Sequence, residues 1–397
     1  MTDQQQASVG LGPGMSTFHG EPPHHREQVE DTHGGDHTDS SSTSGRGAAQ
    51  VSPSANSRWS EVETDLGQPA GGLAAIGGSE SLGELATSLR ALGSLGAAVA
   101  EAELPWWRRL FGLGPSEAAL AAHEAAAERQ LADARRRSAL RTQFAETLTI
   151  TVISSKGSAG KTPTTRGLAA AFGRERGGGV VAVDMNELRG TLAMRSVTDH
   201  DGHVGRLVES ADYLLGARAR SVEVERCMSR QPDSYEWVLA SDPTTTEAMS
   251  VEDFERIHTI LRRFYPLLVI DTGNAELASS WRSSVAAADL LVVPMKWKTD
   301  HIGAAAAMLT DMRRRGEQIA GRTVIVGTNG PGEANELARA EALRFFDGLP
   351  IIEIPVDAAL NEPIISWEKL RPDTQAAYET LGATLIRLAM KKEANHE

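Results

Sequence analysis

The chain of 397 residues contains a single cysteine, Cys227, and this scarcity excludes several classes of protein. One thiol cannot build a disulfide framework, a CxxC zinc site or an iron–sulfur cluster held by the cysteines of one chain. No run of about 18 apolar residues occurs, so we expect no membrane-spanning segment. The chain starts with polar residues and lacks the basic and apolar regions of a secretory signal, which predicts a cytoplasmic protein.

Lysine is missing from the first 155 positions, and the acidic residues are unevenly distributed. Residues 1–104 hold 4 arginines against 14 acidic residues, a net charge of −10, whereas residues 147–397 hold 29 basic and 34 acidic residues, a net charge of −5. The total of −13 argues against a protein that simply coats nucleic acid or an anionic membrane. Because most of that charge lies in the first quarter, the argument is weak for the remainder of the chain.

Composition predicts a tail, a linker and one domain. Residues 1–78 are rich in Gly, Ser, His and Gln and bury too little apolar surface to offset chain entropy, so they are predicted to be a disordered acidic tail. Residues 79–146 are predicted to be a helical linker, in which Ser116 begins an alanine-rich helix that extends to about residue 145. Residues 147–397 alternate strand-like and helix-like segments, which predicts a doubly wound, mainly parallel α/β sheet.

The linker also contains the segment Trp106-Trp107-Arg108-Arg109, followed by Phe111. This segment is interpreted as an anchor that packs on the domain. The alternative is contact with a partner or, peripherally, with a membrane, since Trp beside Arg suits an apolar–polar boundary.

A phosphate-binding loop is predicted after the first strand of the domain. The β-branched run 148–153 is followed by Ser-Ser-Lys-Gly-Ser-Ala-Gly-Lys-Thr and then by a helical pattern. A glycine-rich loop between a strand and a helix is the context in which this motif indicates phosphate binding. Backbone N–H groups of the loop and of the helix start point at phosphate oxygens. Lys161 can reach the β- and γ-phosphates, and the hydroxyl of Thr162 can bind Mg²⁺. The predicted nucleotide-binding residues here are Gly157, Ser158, Ala159, Gly160, Lys161, Thr162 and Pro163.

Two later strands end in carboxylates. Residues 179–184 end at Asp184, and residues 267–271 end at Asp271, before Thr272 and Gly273. An acid at the carboxyl end of such a strand faces the crevice where these sheets bind ligands. Asp271 is therefore predicted to hold Mg²⁺ through water, and Gly273 to let its N–H approach the γ-phosphate.

The run Lys156-Gly-Ser-Ala-Gly-Lys-Thr162 resembles the deviant phosphate loop, K-G-G-x-G-K-[ST], of MinD/ParA-type ATPases, and the resemblance extends from residue 147 to near the C-terminus. It implies an ATP- and Mg²⁺-dependent homodimer in which Lys156 reaches the partner's phosphates. It also implies that Asp184 serves metal binding and catalysis. Asn329 and the Pro355-x-Asp357 loop match the positions that embrace adenine in this family, and no N-K-x-D guanine signature follows Asn329. ATP is therefore expected rather than GTP.

Two positions depart from the family pattern. Pro163 replaces a usual Thr, which a first helical turn tolerates. Asn186 replaces the second acid of a D-x-D motif, which is placed to orient or activate the attacking water. An amide can hydrogen-bond that water but cannot accept its proton, so hydrolysis is expected to be slow or to depend on a partner. The alternative is that Asp184 serves alone.

The order of tail, Trp-Arg-Arg segment, "GLGPSEAA" and ATPase-like domain resembles EspI-like ATPases of actinobacterial type VII secretion loci. It implies a switch ATPase with a regulatory or positioning role, read by a protein partner such as the secretion machinery. One alternative is a ParA-like protein that binds DNA non-specifically, and another is a nucleotide-binding adaptor with little turnover. The candidate DNA contacts are Arg262, Arg263, Arg313, Arg314 and Arg315.

Overall fold

The computed structural model describes residues 116–186, 190–245, 248–328 and 336–394. The predicted tail and the Trp-Arg-Arg segment lie outside these residues. The strands are β1 (Leu148–Val152), β2 (Val180–Met185), β3 (Ser229–Arg230), β4 (Trp237–Leu239), β5 (Leu267–Thr272), β6 (Leu290–Lys296), β7 (Thr323–Thr328) and β8 (Ile351–Ile354). The helices are α1 (Glu117–Leu140), α2 (Lys161–Arg176), α3 (Val204–Glu209), α4 (Ala211–Leu215), α5 (Ser221–Glu225), α6 (Val251–Phe264), α7 (Ser279–Ala287), α8 (Thr299–Arg314), α9 (Glu336–Phe345) and α10 (Pro372–Ala394).

The eight strands form one sheet in the order β3-β4-β2-β5-β1-β6-β7-β8. Every neighbouring pair is parallel except β3 and β4, which are antiparallel. The central strands are buried along their whole length because helices cover both faces of the sheet, as their continuous β-branched and aliphatic runs indicated. The doubly wound, mainly parallel fold class predicted from the sequence is confirmed.

The sheet has a switch point at its centre, because β1 lies between β5 and β6 and the chain winds outward from it in both directions. Parallel strands bring their carboxyl ends to one edge of the sheet, and ligands of open α/β sheets bind at that edge, outside the switch point. The loops after β1, β2, β5 and β7 are therefore brought together even though up to 170 residues separate them along the chain. They build the site described below.

Helix α1 begins where the sequence predicted and ends earlier. The hydroxyl of Ser116 accepts a hydrogen bond from the N–H of Ala119 at 3.2 Å, which caps the start of the helix. Near its end, the guanidinium of Arg176 donates to the carbonyl oxygens of Leu140 and Thr142 at 3.0 and 2.7 Å. These bonds occupy carbonyls at the C-terminus of the helix, and α1 stops at Leu140 rather than near residue 145.

The C-terminal helix α10 packs on the core of the domain. Leu385 and Ile386 of α10 are buried in the cluster that also holds Leu140 and the core face of α2. Within the described part of the chain, no helix is both long and apolar enough to cross a membrane.

Candidate nucleotide-binding site

The loop between β1 and α2 has the backbone geometry of an anion-binding turn. Ser158 and Gly160 both lie in the left-handed region, with φ of 59° and 99°. Helix α2 begins directly after Gly160, and its first turn contains no acidic residue. Successive backbone N–H groups in such a turn, together with the N-terminus of a helix, form a concave site for phosphate oxygens.

Thr328, at the end of β7, supports this loop from the side. Its hydroxyl lies 3.1 Å from the carbonyl oxygens of both Ala159 and Met295, and so can donate to either. A Cβ at Gly160 would lie 3.0 Å from the methyl group of Thr328, so close packing adds to the reason for glycine there. Thr328 was not predicted from the sequence; its neighbour Asn329, which was, lies outside the described residues.

The two predicted carboxylates lie side by side beneath the loop. Asp184 and Asp271 are paired in the register of β2 and β5, and both are fully buried. The hydroxyl of Thr162 donates to Asp271 Oδ2 at 2.7 Å. Asp271 Oδ1 is buried and has no hydrogen-bond partner among the described residues. Burial, together with the neighbouring Asp184, raises the pKa of Asp271 to about 7.

This donor set fits Mg²⁺. Two buried carboxylates repel each other, and a divalent cation bound there would offset both the repulsion and the loss of hydration. The unpartnered Oδ1 of Asp271 and the hydroxyl of Thr162 are hard oxygen ligands of the kind that Mg²⁺ takes, directly or through water.

The carboxylate of Asp184 is held by three hydrogen bonds. Its Oδ1 accepts from the backbone N–H and the side-chain amide of Asn186, at 3.2 and 2.7 Å, and its Oδ2 accepts from the N–H of Leu192 at 3.1 Å. Burial raises the pKa of Asp184, whereas these hydrogen bonds oppose the rise. Gly190 lies against the same carboxylate, because a Cβ there would be 1.9 Å from Oδ2. No side chain fits between them.

A cavity of about 810 Å³ opens at this edge of the sheet. Its phosphate end is formed by residues 158–164 with Asn186, Thr272 and Asn274. The rest of the lining comes mainly from residues within three segments distant in sequence, which are 190–195, 354–363 and Tyr378 of α10. The volume lies in the range of a cofactor or nucleotide pocket.

The structure brings most of the predicted site residues to this cavity. Lys161 donates through its ammonium to the side-chain oxygen of Asn274, the residue after Gly273. Pro355 lines the same cavity outside its phosphate end. The carboxylate of Asp357 accepts hydrogen bonds from the N–H groups of Ala359 and Arg371, at 3.0 and 2.8 Å, which shapes its loop.

Lys156 lies at a different place from Lys161. Its ammonium is 3.0 Å from the carboxylate of Asp300, and both side chains are substantially exposed. The hydrogen bond from Lys156 lowers the pKa of Asp300 below its ordinary value. In this structure Lys156 therefore forms an ion pair at the surface of its own chain.

The sequence analysis missed several site residues because no local sequence motif marks them. Tyr378 is 215 positions from Pro163, yet its hydroxyl donates to the carbonyl oxygen of Pro163 at 3.2 Å. Its ring lies so close to Gly167 that a Cβ there would be 2.3 Å away. The other missed residues are Gly190, Thr191, Arg195, Asn274, Lys296 and Thr328.

Four of the five arginines considered as DNA contacts bind their own chain. Arg262 pairs with Glu146 at 2.9 Å, and Arg263 donates to the carbonyl oxygen of Gly216 at 2.7 Å. Arg314 and Arg315 pair with nearby acids at the end of α8. These contacts are typical of solvated helix ends, where basic side chains interact favourably with the helix dipole.

No family model matches the chain, and no curated protein matches it. Among solved structures, the chain is similar to a ParA family ATPase from Chlorobium tepidum TLS, with 18% identity over 59% of this chain and 98% of that chain and a TM-score of 0.49. It is also similar to apo McdA from Cyanothece (17% identity, 61% and 99% coverage, TM-score 0.45). A third is MinD complexed with Mg-ADP from Pyrococcus horikoshii OT3 (20% identity, 62% and 95% coverage, TM-score 0.42). ParA and MinD are the proteins that the phosphate loop resembles. At these identities and scores, the similarities assign neither an activity nor a partner to this chain.

Proposed function

We propose that this protein binds ATP with Mg²⁺ in the cavity at the carboxyl edge of the sheet and hydrolyses it slowly as a molecular switch. The observation that carries the proposal is the hydrogen bond of Thr162 to Asp271, directly beneath a phosphate loop and beside the buried Asp184. Thr162, Asp271 and Asp184 would hold the metal. When bound, Mg²⁺ supplies charge neutralisation for the phosphate oxygens.

The protein's own residues would bind the phosphates and orient the attacking water. The loop N–H groups and the ammonium of Lys161 bind and orient the phosphates, and this placement supplies most of the catalysis in phosphoryl transfer. The side-chain NH₂ group of Asn186 donates a hydrogen bond to Asp184. The side-chain oxygen of Asn186 would then orient a water. Because an amide cannot take up a proton, we expect a low rate of turnover unless a partner raises it.

We also propose that ATP drives formation of a homodimer, in which Lys156 leaves its pair with Asp300 and reaches the phosphates of the second copy. The pair is exposed to solvent and is therefore weak, so phosphates bound to a second copy would compete effectively for this lysine. A partner protein would then read the nucleotide state through the dimer. The link to type VII secretion rests on the tail and linker and stays a prediction, since most of those residues lie outside the described part.

The test is size-exclusion chromatography with light scattering, with and without ATP and Mg²⁺, together with phosphate release from the same samples. Wild type is expected to double its mass with ATP and to release phosphate slowly. Lys156→Ala is expected to bind ATP as a monomer and not to dimerise. An ATP-dependent dimer of that variant would refute the role of Lys156, whereas absence of ATP binding by wild type would refute the proposed function.

Phosphate release also separates the alternatives. No release in a single-turnover experiment would favour the adaptor with little turnover. Retention of ATP-bound protein on DNA, falling steeply as salt rises, would favour the ParA-like alternative.

A further inference from the structure

Two segments that both line the cavity are joined by one arginine. We call residues 190–197 the first wall and residues 355–366 the second wall. Arg195, in the short 3₁₀ helix Ala193–Arg195 of the first wall, donates from Nη2 to the carbonyl oxygen of Leu360 in the second wall. The carbonyl oxygen of Arg195 in turn accepts a hydrogen bond from the N–H of Ile365 in the second wall, at 3.1 Å. Arg195 thus makes both a side-chain and a backbone bond between the walls.

Both walls carry residues of the proposed nucleotide site. Thr191 of the first wall lies 3.1 Å from the hydroxyl of Thr162, and Leu192 donates to Asp184. Pro355 and Asp357 of the second wall were matched to the adenine positions. The bonds of Arg195 therefore connect the metal side of the cavity with its base side.

Behind the walls, a buried polar group anchors each of them to helix α2. Arg166 of α2 is 1% exposed and pairs with Glu236, which is 0% exposed. Arg166 also donates to the carbonyl oxygen of Ile365 and to the side-chain oxygen of Gln231, both at 3.3 Å. Gln231 in turn exchanges hydrogen bonds with the backbone of Val197, at 3.0 and 2.9 Å. The rear of both walls is thereby fixed to the helix that follows the phosphate loop.

Arg195 itself is less buried than this group and lines the cavity. Burial lowers the pKa of the Arg195 guanidinium, but the ordinary pKa of arginine is so high that the group stays charged. A charged donor to a backbone carbonyl makes a stronger bond than a neutral one. The bond from Arg195 to Leu360 joins two residues that both line the cavity, whereas Arg166 and Gln231 hold the walls from the buried side.

We propose that Arg195 is a positioning residue that keeps the two walls closed over a bound nucleotide and so slows its release. The proposal rests on the function proposed above. Both Arg195 and Leu360 line the cavity, so breaking their bond loosens the surface that would enclose a bound nucleotide. Weaker contacts around a bound ligand are expected to raise the dissociation rate and to change the association rate little, as most changes within one binding site do.

The experiment measures both rates by stopped flow with a mant-labelled ATP and the full chain, with excess unlabelled ATP as the displacing ligand. R195A is expected to raise the dissociation rate about 10-fold or more, the effect of losing a hydrogen bond to a charged group, and to change the association rate by less than about threefold. R195K, which keeps one charged donor without the planar fork, is expected to fall between R195A and wild type. The matched control is R206A, which removes an exposed arginine paired with Asp201 and is expected to leave both rates unchanged.

A dissociation rate of R195A within twofold of wild type would overturn the proposal, even if the variant were less thermostable. If R195A does not fold, R195K decides: a raised dissociation rate supports the proposal and an unchanged one overturns it. Wild type that binds no labelled ATP would refute the proposed function itself, an outcome distinct from a variant that behaves like wild type.

Discussion

The phosphate end of the cavity and the rest of its lining are built in different ways. The phosphate end comes largely from one continuous run, residues 158–164, whose turn geometry is fixed by its own backbone at Ser158 and Gly160. The rest is assembled from residues within 190–195 and 354–363 and from Tyr378, which meet only in the folded domain. The phosphate end is a local structure that follows a strand, whereas the rest of the lining depends on long-range packing.

Residues at the phosphate end can be found from a sequence motif, whereas the rest of the cavity lining can be found only from the folded structure. Anion binding at a helix start needs only a short turn and the first N–H groups, so a sequence motif specifies it. Enclosing the remainder of a nucleotide needs surfaces from several elements, and no short motif encodes their meeting. We therefore expect loss of a charged side chain at the phosphate end to act on binding directly, and other substitutions to act through the backbone, packing or positioning.

The largest effect is expected at the phosphate end, from Lys161→Ala. Loss of an ammonium that binds the phosphates removes charge-assisted hydrogen bonds and is expected to weaken ATP binding at least about 100-fold. Isothermal titration with ATP and Mg²⁺ checks it. The control is Lys369→Ala, which removes an exposed lysine paired with Glu362 and should leave ATP affinity unchanged. Equal ATP affinity of Lys161→Ala and wild type would contradict the assigned site.

Gly190→Ala tests whether the first wall contributes to the metal site by contact alone. The added Cβ would lie 1.9 Å from Asp184 Oδ2, so the carboxylate or the wall must move. We expect Mg²⁺-dependent ATP affinity to fall about 10-fold or more, as when a group that orients a metal ligand is disturbed. Titrations with and without Mg²⁺ separate this loss from a general one. A fall of the same size without Mg²⁺ would place the effect outside the metal site.

Gly167→Ala acts on the packing of Tyr378 over helix α2. The Cβ would meet the buried ring at 2.3 Å, and overpacking of this kind is expected to lower the free energy of unfolding by about 1–3 kcal/mol. The control is Gly303→Ala in α8, where a Cβ has nothing within 4 Å and is expected to raise stability by up to about 1 kcal/mol. Denaturant unfolding measures the free energy of unfolding of both variants. Equal values would show that the Tyr378 ring can move aside without loss of stability.

The smallest effect is expected from Ser158→Gly, which relieves a left-handed backbone at the phosphate end. The relief is on the order of 1–2 kcal/mol and is partly offset by the greater freedom of glycine in the unfolded chain. We expect a net gain of about 0.5–1 kcal/mol in the free energy of unfolding, with unchanged ATP affinity. Ser155→Gly is the comparison, since φ is not positive there, so this change relieves no strain and carries only costs: the greater freedom of glycine and loss of the hydroxyl's bond to the carbonyl oxygen of Ala304 at 3.4 Å. A loss of stability in Ser158→Gly would show that the serine side chain contributes more than the strain costs.

Strands β1, β2 and β5 were predicted from the sequence, because each is a buried run of β-branched and aliphatic residues. Strands β3 and β4 were not predicted, since two and three residues are too few to show a period. Helix α1 was predicted to begin at Ser116, but its end at Leu140 depends on Arg176, a residue 36 positions away.

In the site, the phosphate loop, the two carboxylates and their order along the chain could be predicted from the amino-acid sequence. Each of these is a local signal: glycines that permit a turn, a lysine and a threonine at a helix start, and acids at strand ends. Other features required the folded domain: Asp184 and Asp271 lie in register, Gly190 touches one of them, and Arg195 and Tyr378 help to enclose the cavity. Turn geometry depends on neighbouring residues, whereas these contacts depend on how elements distant along the chain pack together.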